Sequence, residues 1–254
     1  MSDTVPHFIE TPRRESAPTL LCVHGAGGNH THWGFQVRDL CDVAQVVAVD
    51  LPGHGKSPPI PDVSIDAYAD SIERVVERIG GTNVVIAGHS MGGAIALTIG
   101  LRRPAWLCGL VLVGTGAKLR VAPAFLEGLE KDHPSACREI IAWSVGPDCP
   151  AAIRERALAD YAACDPRVVL EDFRACDRFD VRERLGEIAV PALVLCGSAD
   201  RMTPPRYSEF LANRIPQATL AIIPGCGHLV MIENPTAVNE RIRSQDKSSK
   251  IGRA

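Results

Sequence analysis

Six short apolar runs constrain this chain more than any other feature. They are Thr19 to His24 (TLLCVH), Ala44 to Asp50 (AQVVAVD), Asn83 to Gly88 (NVVIAG), Leu110 to Gly114 (LVLVG), Ala192 to Gly197 (ALVLCG) and Thr219 to Pro224 (TLAIIP). They are near-continuous rather than alternating, which suits strands covered on both faces. Longer segments with helical periodicity separate them. The clearest spans Ser64 to Ile79, where Tyr68, Ile72, Val75, Val76 and Ile79 share a face and Ser64 stands as the N-cap. Buried strands linked by helices predict an α/β fold, a mostly parallel central sheet flanked by helices with right-handed crossovers.

The stretch from 122 to 187 breaks this alternation. It holds four helical segments, near Pro123–Asp132, Pro134–Val145, Ala151–Ala163 and Pro166–Cys176, separated by prolines and without a strand. Sheet-like segments resume at Val190, so the stretch reads as a helical insertion between two strands of one sheet. The core is expected at 1–121 and 188–245, and the polar residues 246–254 as a disordered tail.

A chain of 254 residues with 46% apolar content supports one sizeable core. Its net charge of −3, with no clustered lysine and arginine excess, argues against a nucleic-acid partner. No apolar run approaches the ~20 residues of a membrane span, and the first sixteen residues lack the apolar centre of a signal peptide. The nine cysteines are odd in number and form no C-x-x-C pair. Several, such as Cys22, Cys108 and Cys196, lie in strand-like runs, where a thiol serves as a small hydrophobe. A reduced, cytoplasmic protein is expected.

Three polar groups fall just after strands, where open α/β sheets hold their sites. Ser90 follows the strand ending at Gly88, Asp200 follows ALVLCG, and His228 follows TLAIIPG. Acyl transfer needs these types together. A serine hydroxyl is a weak nucleophile until an imidazole takes its proton, and a carboxylate must orient that imidazole. Ser90 could instead merely cap the helix after it, but the company of Asp200 and His228 favours the nucleophile. Gly88 and Gly92 flank Ser90 at −2 and +2 and permit a tight, strained strand-to-helix turn. The Met91 N–H would then face a developing oxyanion, with a second donor, the Ala26 N–H, from the loop His24-Gly25-Ala26-Gly27-Gly28.

On these residues the sequence resembles the α/β-hydrolase superfamily. The resemblance covers nearly the whole chain and adds Asp50-Leu51-Pro52-Gly53-His54-Gly55-Lys56-Ser57 and Gly227-His228 followed by Glu233-Asn234-Pro235. It implies that 122–187 is a cap over the active site. It also implies an acid either after Asp200's strand or after Leu110–Gly114; the latter is followed by Thr115-Gly116-Ala117-Lys118, with no acid, which favours Asp200. The chain departs from the family at its edges. Only about 18 residues precede the His-Gly strand, so Val5–Glu10 is expected as the one strand of an abbreviated N-terminus. The last helix ends in Arg241-Ile242-Arg243 rather than an apolar anchor.

The resemblance implies a serine hydrolase, carboxylesterase-like, acting on an ester of a small to medium apolar substrate without a cofactor. Trp33, Phe125, Leu129, Trp143 and Leu229 are the expected pocket residues. The cap residues among these, Phe125, Leu129 and Trp143, together with Leu126, Tyr161, Phe173 and Phe179, serve equally as pocket lining or as the cap's own packing, and Trp33 as pocket wall or packing beneath the cap. Lactonase, thioesterase, perhydrolase and C–C hydrolase chemistry use the same triad, although Leu229 replaces the tryptophan that often follows the histidine in C–C hydrolases. A ligand receptor of this fold is the rival from another class; Ser90-Met91-Gly92-Gly93 differs from the Ser-Val-Ser of such receptors. His30 and His32, with His24 and His54, invite a metal reading, but His30-Thr31-His32-Trp33 lacks the Asp-His of the dinuclear hydrolase motif and no metal is expected. His54 and Ser57 are expected to organise their loop.

Overall fold

All six apolar runs enter one seven-stranded sheet in the computed structural model, which describes residues 4–13 and 17–248. The strands are β1 (Phe8–Glu10), β2 (Thr19–Val23), β3 (Gln45–Val49), β4 (Val84–His89), β5 (Leu107–Val113), β6 (Ala192–Gly197) and β7 (Ala218–Ile223), in the order β1-β3-β2-β4-β5-β6-β7. The pairs from β3 to β7 are all parallel, and β1 alone runs antiparallel, against β3. β2, β3 and β6 are buried along their whole length, as continuous apolar runs require. The fold class therefore follows the sequence expectation, including the single short N-terminal strand.

Helices cover both faces. α1 (Gly34–Asp39), α2 (Ile65–Ile79), α3 (Met91–Arg102), α8 (Pro205–Arg214), the short α9 (Val230–Glu233) and α10 (Pro235–Ser248) connect or follow the strands. In α2, the Ser64 hydroxyl accepts the Ala67 N–H at 3.1 Å, and Gly80 in the left-handed conformation closes the far end. The buried face of α2 includes Ile72, Val75 and Val76, each worth about 1.5–3 kcal/mol by burial.

Between β5 and β6 lie α4 (Pro123–Lys131), α5 (His133–Ser144), α6 (Ala151–Ala163) and α7 (Pro166–Arg178), then a 3-10 turn at Arg182–Glu187. Proline occupies the first turn of α4, α5 and α7, where its missing N–H costs nothing.

Two edges differ from a plain reading of the sequence. Leu220 and Ile222 of β7 are each 38% exposed, because β7 is the last strand and one of its faces is only partly covered. In the last helix, where the sequence has charge in place of an apolar anchor, Arg243 makes a polar one: its guanidinium binds both Asp42 oxygens, at 2.6 and 2.8 Å, and the Asp39 carbonyl. α10 continues to Ser248, so the expected tail begins inside a helix, and 249–254 lie outside the described residues. All nine cysteines are free thiols. Among the described residues no helix is long and apolar enough to cross a membrane.

Candidate active site

The parallel register brings the ends of the central strands level: Val23 pairs Gly88, His89 pairs Val113, and Val113 pairs Leu195. The turns that leave them therefore share one edge of the sheet. Ser90 sits at the sharpest of these turns, with φ 53° and ψ −114°. Such a conformation costs a non-glycine residue about 1–3 kcal/mol. Its neighbours explain how it persists. The Ser90 N–H donates to the Val113 carbonyl at 2.9 Å, and the Thr115 hydroxyl donates to the Ser90 carbonyl at 2.8 Å. A Cβ on Gly88 would stand 2.1 Å from the Gly92 oxygen, and one on Gly92 would stand 2.3 Å from the Val23 oxygen. Only glycines allow strand and helix to close so tightly. The Ser90 side chain makes no capping hydrogen bond to α3, so the simple helix-cap role does not account for it.

His228 Nδ1 donates to Asp200 Oδ2 at 2.9 Å, and both residues are buried. The carboxylate is held from three further directions: Oδ1 accepts the N–H groups of Met202 and Thr203, and Oδ2 accepts the Thr203 hydroxyl, each at 2.9 Å. Placing the Nδ1 proton toward Asp200 leaves Nε2 with a lone pair, as a general base requires. The loop carrying His228 is clasped by the helical insertion. Its N–H donates to the Ser144 carbonyl at 2.7 Å, and Glu233 accepts the N–H groups of Gly146 and Gly227 at 2.8 and 3.0 Å. From the other side, His89 Nε2 donates to the His228 carbonyl at 3.0 Å. Burial, reinforced by the adjacent His228, pushes the His89 pKa well below the ordinary imidazole value, so this ring stays neutral.

The loop after β2 lies against the serine turn, since a Cβ on Gly25 would be 3.1 Å from the Ser90 Cβ. Two of its N–H groups are engaged: Gly28 donates to the Gly25 carbonyl at 3.1 Å and Gly27 to Asp172 Oδ2 at 3.0 Å. Among the described residues, the N–H groups of Ala26 and Met91 have no such acceptor. Asp172 is fully buried on α7 and also accepts His54 Nε2 at 2.8 Å and the Tyr68 hydroxyl at 2.7 Å. His54 Nδ1 faces the Pro52 carbonyl at 3.1 Å, so both ring nitrogens point at acceptors. Burial opposes charge on His54, but the Asp172 carboxylate outweighs it and raises the pKa. A buried histidine–carboxylate pair thus joins α7 to the core beside the Ala26 loop.

Ser90, His228, Ala26 and His89 line one cavity of about 230 Å³ between the sheet edge and the helical insertion. The alpha/beta hydrolase family model matches residues 20–241. This chain belongs to that family. Among its relatives, a pimeloyl-[acyl-carrier protein] methyl ester esterase from Neisseria meningitidis serogroup C is 30% identical, over 88% of this chain and 91% of that protein. The polyketide synthase ThaQ from Burkholderia thailandensis is 31% identical over 90% of this chain, which spans only 12% of that protein's length. A solved thermophilic esterase is 32% identical, with a TM-score of 0.84 over 98% of this chain and all of that one. The protein is a hydrolase of the ester-cleaving type.

Of the expected pocket residues, the hydrolase places Phe125, Trp143 and Leu229 on the cavity wall, together with Tyr161 and Phe173. Trp33 and Leu129 do not line it. Trp33 ends the 3-10 turn that runs into α1 and is fully buried in the core. Leu129 is the buried position of α4, a helix that packs on α5 and α7. Leu126 and Phe179 also lie off the wall.

Of the histidines of the metal reading, His24 and His54 lie with ring centroids 4.8 Å apart, but their nitrogens are engaged separately. His24 Nε2 accepts the Leu51 N–H at 3.0 Å, His32 Nε2 lies 3.4 Å from Asp160, and His54 pairs with Asp172. His30 joins His7 at Asp50, three groups whose ligand atoms lie within 4.8 Å. Each Asp50 oxygen already accepts two N–H groups there, from His30 on one side and from His7 and Lys56 on the other. That arrangement is a hydrogen-bonded clasp on the loops. Ser57 completes it, donating to the Asp50 carbonyl at 2.7 Å, as expected for a loop organiser. Asp172, Thr203 and Ser144 escaped the sequence reading. Asp172 meets His54 across 118 positions, and nothing local to α7 marks it as more than a polar helix residue.

Proposed function

We propose that this hydrolase cleaves carboxylic esters of small to medium, largely apolar substrates through an acyl-enzyme on Ser90. The Ser90 hydroxyl attacks the ester carbonyl while His228 Nε2 takes its proton. Asp200 holds the Nδ1–H and stabilises the imidazolium that forms. The Ala26 and Met91 N–H groups receive the tetrahedral oxyanion, a contribution of ~3 kcal/mol per donor. His228 then protonates the departing alcohol, and water releases the acyl group by the same steps in reverse. Residues 122–187 act as the cap that walls the cavity and limits water around the acyl group. None of these steps calls for a cofactor.

One observation carries the reading: a strained Ser90, free of any capping role, shares a cavity with a histidine tied to a buried carboxylate. The relatives' names support the ester as the bond cleaved. The test is turnover of p-nitrophenyl butyrate by Ser90→Ala with circular dichroism as the fold control. Activity should drop by on the order of 10⁴-fold or more, and a fluorophosphonate should label Ser90 in the parent protein. Retained turnover, or a label on another residue, would remove Ser90 as nucleophile. A matched panel of thioesters and lactones separates the rival acyl chemistries that use the same groups.

A further inference from the structure

The mouth of the cavity carries a charge that the ester reading does not use. Three arginines line it, Arg120, Arg201 and Arg206, and no aspartate or glutamate does. This is no overflow of a basic surface, because the whole chain has a net charge of −3. Elsewhere among the described residues Arg102, Arg174 and Arg182 are matched by carboxylates, whereas Arg138, Arg178 and Arg214 are not but lie off the cavity. Among the described residues, none of the three at the mouth has a carboxylate partner. Nearby acids are engaged elsewhere: Asp177 accepts the Val121 N–H, and Asp180 pairs with Lys118 and Arg182.

Two of these guanidiniums are also held in place. Arg201 lies 5.3 Å over the Trp143 ring and donates to the Ala142 carbonyl. Arg206 lies 5.3 Å over the Tyr207 ring. Beneath them the wall is largely apolar, with Ile141, Ala157 and Phe173. Like charges gathered at the rim of a low-dielectric cleft focus a field that draws in the opposite sign. Guanidinium is also the group best suited to a planar or tetrahedral oxyanion.

We infer that this mouth is an anion subsite: the preferred ester bears a carboxylate or phosphate on the part that projects from the cavity. The inference rests on the ester reading above and narrows it to a substrate class. The apolar wall takes the chain next to the scissile carbonyl, and the arginines take the charged end.

Two matched series test it. On the alcohol side, 4-carboxyphenyl and 4-phosphonooxyphenyl butyrate are compared with neutral 4-carbamoylphenyl butyrate. On the acyl side, monoethyl adipate is compared with ethyl adipamate. In at least one series the anionic ester should show a kcat/KM higher by on the order of tenfold, with the carboxylate and phosphate arms reporting which anion fits. The advantage should shrink at high salt. In Arg120→Gln, Arg201→Gln and Arg206→Gln the anionic-to-neutral ratio should fall toward one. Equal rates for charged and neutral esters in both series, or a ratio untouched by all three substitutions, would overturn the subsite. If no ester at all is turned over, the ester reading fails instead. Calorimetric binding of monoethyl adipate and ethyl adipamate to Ser90→Ala then decides the subsite by itself: tighter binding of the anion supports it, and equal binding refutes it.

Discussion

Ser90 holds a backbone conformation that glycine adopts freely and other L-residues resist. That gives a stability test independent of turnover. In ordinary positions glycine is about 0.5–1 kcal/mol worse than alanine. Here the order should reverse, because alanine keeps a strain of about 1–3 kcal/mol that glycine does not feel. Ser90→Gly should therefore melt above Ser90→Ala in a thermal scan, with both inactive; the usual order would mean that the turn is not strained in solution. At this scale the sequence was informative where chemistry is local. Gly88-His89-Ser90-Met91-Gly92 declares a turn that needs glycines on both sides. Asp172 was illegible, because its partners His54, Tyr68 and the Gly27 N–H are scattered through the chain and converge only in the fold.

The pair formed by Asp172 and His54 is the main polar joint between α7 and the core. Asp172→Asn removes the charge that keeps His54 protonated, and a broken buried pair of this kind costs about 3 kcal/mol. The pH dependence has a definite sign. The folded-state pKa of His54 is raised above the ordinary value, so the pair's contribution is complete below about pH 6.5 and fades as pH climbs through the raised value. Urea unfolding of the parent and of Asp172→Asn should differ more at pH 6 than at pH 9. A difference independent of pH would deny the imidazolium. The elements themselves were largely readable. All four helices of the insertion and the six long strands fall within a few residues of their sequence signals, since each has its own periodicity and proline or glycine stops. The exposure of β7 was not, because a run such as TLAIIP does not say that it will be the last strand.

For the molecule as a whole, two buried histidines set its acid limit. Burial lowers the pKa of both His24 and His89 well below the ordinary value. The unfolded chain takes up protons at these positions near pH 6.5 while the folded one does not. Stability should thus decline as pH falls below about 6.5, by roughly 1.4 kcal/mol per pH unit for each ring. Unfolding free energies measured from pH 7 to pH 5 would show this slope, and a flat profile would mean that the rings find a proton without unfolding. The fold class and the common edge of the site follow from six apolar runs. The arginine mouth does not, since Arg120 stands just before the insertion and Arg201 in the loop after β6. The clasp on His228 has a further consequence for how the molecule comes into being. Its backbone is fixed by Ser144 and, through Glu233, by Gly146. During refolding, the sheet can form, the serine turn can close and Asp200 and His89 can meet His228, yet its backbone lacks the contacts to Ser144 and Gly146 until the insertion docks. Recovery of hydrolysis should therefore lag behind recovery of secondary structure, making the reaction itself a clock for the last stage of assembly.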